Sequence, residues 1–398
     1  MFLELLTSVL AGFLIGIITG LTPGLHINLA SVMIVSIASK TNTIKPEYAA
    51  VAILSMAITH TFLDTIPSVF LGVPDPEKVA VMLPTHRMVS EGKGYEAATL
   101  TIFGSFASLI VCMAAMPAFI ALFRIIQDLV KNYIGLILIA LTAVLIIYEK
   151  KKINAIAIFL LSGALGYIEL NTPLLNEPLL PMLSGLFGIS GLIVGVMTDS
   201  KITKQKITES CASWTIKIKA TICAVIVGAA GSFLPGIGPS QIAILGSRAF
   251  RNLGDKGYII LVGGLNTVNM ALSIAMLYAA DKARNGAIVA ISQIINGIDM
   301  QFLLILCATC LIAAGLSTVL TMIFAKKLSG AISKLNYKTI SIGIMIFIIF
   351  LVALLSGWFG MIVLFTATAL GLACNELDTA KNHMMGCLLI PVIIFFLK

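Results

Sequence analysis

Two stretches of this chain could hold a ligand largely by backbone. Residues 16–31 read GIITGLTPGLHINLAS and residues 228–243 read GAAGSFLPGIGPSQIA. Each sets a Pro-Gly pair, Pro23-Gly24 or Pro235-Gly236, in the middle of a long apolar run, with polar side chains just after it. Proline lacks the donor N–H and clashes with the preceding turn, so a helix breaks there. The following glycine lets the backbone bend and approach a ligand. A helix restarting beyond the pair presents free N–H groups and the positive end of its dipole, and two such ends facing each other suit an anion. Thr22, His26, Asn28 and Ser31 flank the first break, and Gly238, Ser240 and Gln241 the second. The bland alternative, a proline kink relieved by nearby Ser and Thr, explains one copy more readily than two matching copies half a chain apart.

A second constellation follows the first break. In ITHTFLDTIPSVFLGVPD, His60 and Asp64 are four residues apart and share a helix face. Ionisable groups at membrane depth are costly and read as functional by default, so this pair is a candidate proton relay or cation site, with Na⁺ or H⁺ as the coupling ion. The competing reading is a polar pair joining two helices. The corresponding region of the second half, GGLNTVNMALS, offers neutral donors and acceptors in Asn266, Thr267 and Asn269, and Gly263-Gly264 would allow close helix approach. His86 reads as a loop histidine, Asp299 as a helix cap, and His383 receives no role. No HExxH, GxSxG, P-loop or dinucleotide motif occurs. An intramembrane enzyme lacks a nucleophile or metal set beside His60 and Asp64, so no catalytic residue, metal site or organic cofactor is expected.

The elements that must position these residues are membrane helices. Hydrophobic residues make up 59% of the 398 and charged residues 11%, against roughly 25% charged in soluble domains. Apolar runs long enough to span hydrocarbon follow one another, clearest at 46–72, 97–123, 132–148, 179–197, 257–280, 300–325 and 339–356. The first residues, MFLELLTSVLAG, lack the basic start of a secretory signal and read as a retained first helix. The seven cysteines show no metal spacing and read as small apolar filler. The net charge of +8 fits basic cytoplasmic loops better than nucleic acid.

Charge also assigns sides. The loop near 198–212 carries Lys201, Lys204 and Lys206 and is placed in the cytoplasm. Propagated along the chain, that choice leaves the N-terminus outside, the segment ELNTPLLNEP with Glu169 and Glu177 outside, and 19 of the 26 Lys and Arg inside. The first Pro-Gly copy then opens from outside and the second from inside. The expected architecture is an all-α polytopic membrane protein of two inverted repeats with Pro-Gly-broken hairpins: residues 1–198, a cytoplasmic linker 199–212, and residues 213–398.

Three segments resemble a known family: FLPGIGPSQIA at 233–243, FLGVPDPEKVAVMLPTHRMVSEGKGYEAA at 70–98, and LNEPLLPMLSGLFGISGLIVGV at 175–196. They are similar to the large membrane subunit of tripartite tricarboxylate transporters and its archaeal-type relatives. The resemblance implies a small membrane subunit and an extracytoplasmic binding protein as partners, besides the lipid bilayer; a homodimer is a further candidate assembly. The leading expectation is a cell-membrane secondary transporter of an organic anion, with a midplane site between the two breaks. The alternative is a flippase for a lipid-linked phosphate such as polyprenyl phosphate, whose headgroup would suit the same helix ends.

Overall fold

The computed structural model describes residues 2–22, 27–41, 44–71, 82–173, 178–197, 204–208, 212–233, 242–246, 253–283, 285–295, 297–331 and 337–397. Among these residues helices dominate and no strand occurs. The first half contributes α1 (Phe2–Leu21), α2 (Ile27–Thr41), α3 (Pro46–Leu63), α4 (Met82–Ser90), α5 (Gly94–Ala114), α6 (Met116–Val130), α7 (Ile134–Ile147), α8 (Lys152–Leu170) and α9 (Leu179–Met197). The second contributes α10 (Trp214–Ser232), α11 (Gly254–Ala280), α12 (Gly286–Ile294), α13 (Met300–Ala331), α14 (Tyr337–Leu355), α15 (Gly357–Glu376) and α16 (Gly386–Leu397). Ten helical stretches among the described residues are long and apolar enough to cross a membrane. The protein is an all-helical, multi-pass membrane protein.

Two helices, one from each half, form the centre. Both α3 and α11 are apolar around most of their circumference, as an enclosed helix must be, and most of their residues are buried. Glycine spacing sets how closely the neighbours approach. On α1, Gly12, Gly16 and Gly20 form one stripe against α3, where a methyl at Gly16 would meet Met56 O at 2.7 Å and one at Gly20 would meet Leu63 Cβ at 2.7 Å. Leu10, Leu14 and Ile18 form another stripe, and these are exposed. In lipid, apolar side chains gain little by leaving the bilayer, so close van der Waals contact across small residues does the joining. The same device links the halves. A methyl at Gly104 of α5 would strike the main-chain oxygen of Ile260, one at Gly263 of α11 that of Thr101, and Ser105 Oγ donates to Gly263 O at 3.0 Å.

A flanking bundle is built from α7, α8, α9, α14, α15 and α16, with its own core around Met182, Leu186, Phe187 and Met384. One expected span is interrupted, and another continues with a change of helical geometry. The run 97–123 is divided at Ala115 between α5 and α6, where Pro117 has no N–H to continue the ladder. The run 46–72 leaves α-helical geometry after Leu63 and passes into a wide π turn at Pro67–Leu71, because Pro67 has no N–H to donate to Leu63.

Charged contacts join residues that the charge reading put on the same side: Arg87 with Asp255 (2.9 Å), Lys256 with Glu96 (2.6 Å), and Lys151 with Asp378 (3.4 Å). The linker is docked rather than loose at Gln205. Its Nε2 donates to Val89 O (2.8 Å), its Oε1 accepts from Gly94 N (2.7 Å), and Lys206 N donates to Gly92 O (2.8 Å). Gly92 permits this tight turn because its φ of 79° lies in the left-handed region.

Candidate functional site: the polar contact between α3 and α11

A run of polar residues breaks the apolar surface of α3 where it faces α1 and α11. Thr59, His60, Thr61, Asp64, Thr65 and Ser68 are all buried, as are Asn266 and Thr267 on α11. Asn266 Nδ2 donates to Asp64 Oδ2 at 3.4 Å, and the Thr61 and Thr267 hydroxyls meet at 3.1 Å. His60 turns instead to α1, where its Nδ1 lies 3.2 Å from Thr19 Oγ1. Although His60 and Asp64 share a helix face, these contacts reach different neighbours, one within the first half and one across to the second.

The site keeps unused hydrogen-bonding capacity. Asn266 Oδ1, Ser68 Oγ and Thr59 Oγ1 are buried without a hydrogen-bond partner. Buried polar atoms usually have one, and exceptions gather where a ligand or ion is missing. A carboxylate, a carboxamide oxygen and hydroxyls suit a proton or a hard cation. The Asn266 amide N–H₂ is the complementary donor. Outside the spans, in the turn between α4 and α5, the hydrogen bond from Lys93 at 2.8 Å holds the Glu91 carboxyl below its ordinary value.

The other residues singled out from sequence are partly in view. Thr22 ends α1, its N–H donating to Ile18 O at 3.1 Å. Asn28, in the first turn of α2, packs directly on Gly286 at the start of α12. Asn269 lies beside the contact on α11, and its main-chain oxygen accepts from Ser273 Oγ at 2.7 Å. Pro23, Gly24, His26, Pro235, Gly236, Gly238, Ser240 and Gln241 lie outside the described residues. Asp299 caps α13, accepting from Phe302 N at 2.7 Å. His383, given no role from sequence, lies 3.2 Å from Glu149. Thr19 and Thr61 were not singled out either. Their type, Thr on apolar helices, is too common to select, and their partners lie 41 and 206 residues away. Among the described residues no group of three or more metal-ligating side chains gathers.

The profile of the tripartite tricarboxylate transporter TctA family matches residues 6–386, nearly the whole chain. The chain belongs to the TctA family. An uncharacterized protein of Methanocaldococcus jannaschii is 29% identical over 410 residues, covering 99% of both chains. No solved structure matches. As a TctA-family membrane protein the chain has a transporter role within tripartite tricarboxylate transporters, which fits partnership with a small membrane subunit and a binding protein. For a TctA protein the α3–α11 contact matters because it is where the two halves share buried polar groups.

Proposed function

We propose that this TctA-family protein is a secondary transporter of a carboxylate-like organic anion, coupled to Na⁺ or H⁺ and without enzymatic activity. The observation that carries this reading is the buried Asp64–Asn266 contact, in which the two most enclosed helices, one from each half, meet through a carboxyl and a carboxamide. A buried ionisable group at a junction between halves is well placed to bind the coupling ion and bias which way the halves tilt. The anion site proposed beside it uses backbone N–H groups after Gly24 and Gly236, with Thr22, Asn28, Ser240 and Asn266. Helix ends can do this without a buried Lys or Arg.

Packing lends support to the two-repeat reading. The helix after the first break, α2, lies against α12 of the second half through Asn28 and Gly286. In the complementary corner Arg87 of α4 reaches Asp255 at the start of α11. Short helices that each close on the other half are what an inverted pair would produce.

Uptake of a labelled tricarboxylate into proteoliposomes tests the proposal. Gradient-driven accumulation in the wild type, lost in Asp64→Asn while counterflow exchange persists, is the expected result. Driven accumulation unchanged in Asp64→Asn removes Asp64 from coupling. Flipping of a labelled polyprenyl phosphate without carboxylate uptake would overturn the carrier in favour of a lipid flippase.

A further inference from the structure

Glu169 is a buried carboxyl that the proposed transport site does not use. It lies in the last turn of α8 and is 2% exposed, and neither carboxyl oxygen has a hydrogen-bond partner. Its main-chain oxygen accepts from Thr172 N at 3.2 Å as the helix ends, so the carboxyl sits at the negative end of the α8 dipole. Helix α16 closes over this region at backbone distance. A methyl at Gly166 would strike the main-chain oxygen of Cys387, and one at Gly163 the side chain of Ile390.

Among the described residues no cation is paired with the carboxyl. On the elements packed against α8, the titratable groups among the described residues are Cys387 on α16, Cys374 and Glu376 on α15, and Lys381 and His383 in the turn Lys381–Met385; α7 has none. His383 is engaged by Glu149, before the opposite end of α8. Of these groups Cys387 is the one on the helix that closes on Gly166, one turn before Glu169, and a thiol supplies no positive charge. A carboxyl enclosed by apolar helices without a hydrogen-bond partner is most readily accommodated as the neutral acid.

We propose that Glu169 is a proton-binding site of the flanking bundle: α8 and α16 close on the protonated acid, and release of its proton to water loosens that contact. The equilibrium is a simple ionisation, COOH to COO⁻ and H⁺. The end of α8 that carries the carboxyl is the one the charge distribution places outside, and loosening of the α8–α16 contact would open it to water there. The ligand is thus a proton from that face, and the site is separate from His60 and Asp64.

Infrared difference spectra of the purified full-length protein, wild type minus Glu169→Gln, test it. Glutamine keeps the shape of the neutral acid, so the variant should fold. The expected result is one carboxylic-acid C=O band at neutral pH that is absent from the variant, shifts in D₂O, and disappears reversibly in alkaline buffer. No such band at any pH overturns the proposal. A band indifferent to D₂O and pH also overturns it, because the acid would then be a fixed packing group. Should the variant fail to fold, dicyclohexylcarbodiimide reports on the wild type alone. The acid O–H adds across a C=N bond, oxygen to carbon and proton to nitrogen, and mass spectrometry locates the adduct. Labelling of Glu169 that falls as pH rises is expected, and labelling that is absent or constant with pH counts against proton exchange.

Discussion

Asp64 and Glu169 are both carboxyls enclosed by apolar helices, 3% and 2% exposed, yet their surroundings differ in kind. Asp64 faces a helix from the other half and meets the Asn266 amide there. Neighbouring Thr61 and Thr267 hydroxyls add a second bridge between the same helices. Glu169 faces α16 across glycine contacts and meets no hydrogen-bond partner. The difference is one of hydrogen-bonding surroundings at similar burial. A polar partner across a helix pair makes a place where charge or an ion can be held, whereas its absence leaves a group whose only ready ligand is a proton.

The largest expected effect tests the glycine contact that holds α5 to α11. Gly104→Leu should destabilise the protein by roughly 3 kcal/mol, because added side-chain volume would meet main chain rather than a yielding side chain. Gly315→Leu on α13, where a methyl would meet nothing, should change stability by less than about 1 kcal/mol. Thermal unfolding in detergent reads both, and equal losses would show that glycine packing does not hold α5 to α11.

Next in size is the direct comparison of the two carboxyls. A double-mutant cycle of Asp64→Leu with Asn266→Leu should give a coupling of about 1.5 kcal/mol, the low end for a hydrogen bond to a charged group given its 3.4 Å length. The matching cycle of Glu169→Leu with Cys387→Ala should stay below about 0.5 kcal/mol. If the second cycle equals the first, the contrast between the regions fails. The neutral bridge should be weaker: Thr61→Val with Thr267→Val should couple by about 0.6 kcal/mol, typical of interhelical hydrogen bonds in membranes. Smallest of all, Arg87→Ala should cost at most about 0.5 kcal/mol and less in high salt, since Arg87 and Asp255 are both more than half exposed.

Much of the helical layout was legible because lipid imposes a simple rule on sequence. The run 179–197 coincides with α9, and 132–148 with α7 to within two residues at each end. Where prediction slipped, a single residue decided. Pro117 divides the run 97–123, and hydropathy does not register a missing N–H. Glu169 belongs by composition with the acidic segment after its span. The structure instead includes it in α8 and buries it, because one more helical turn turns that side chain toward α16.

The sequence by itself determined that the chain is a bundle of membrane helices and that His60 and Asp64 share a face of one of them. These follow from local rules: apolar length against bilayer thickness, and the helical period of 3.6. Tertiary structure alone decided that Asp64 meets Asn266, that His60 turns to Thr19, that Gln205 pins the linker to the α4–α5 turn, and that Glu169 is left without a partner. Those outcomes depend on which helices lie side by side. Helix packing in lipid is governed by shape at small residues, which does not name the partner helix, so contacts between residues 202 apart leave no local trace.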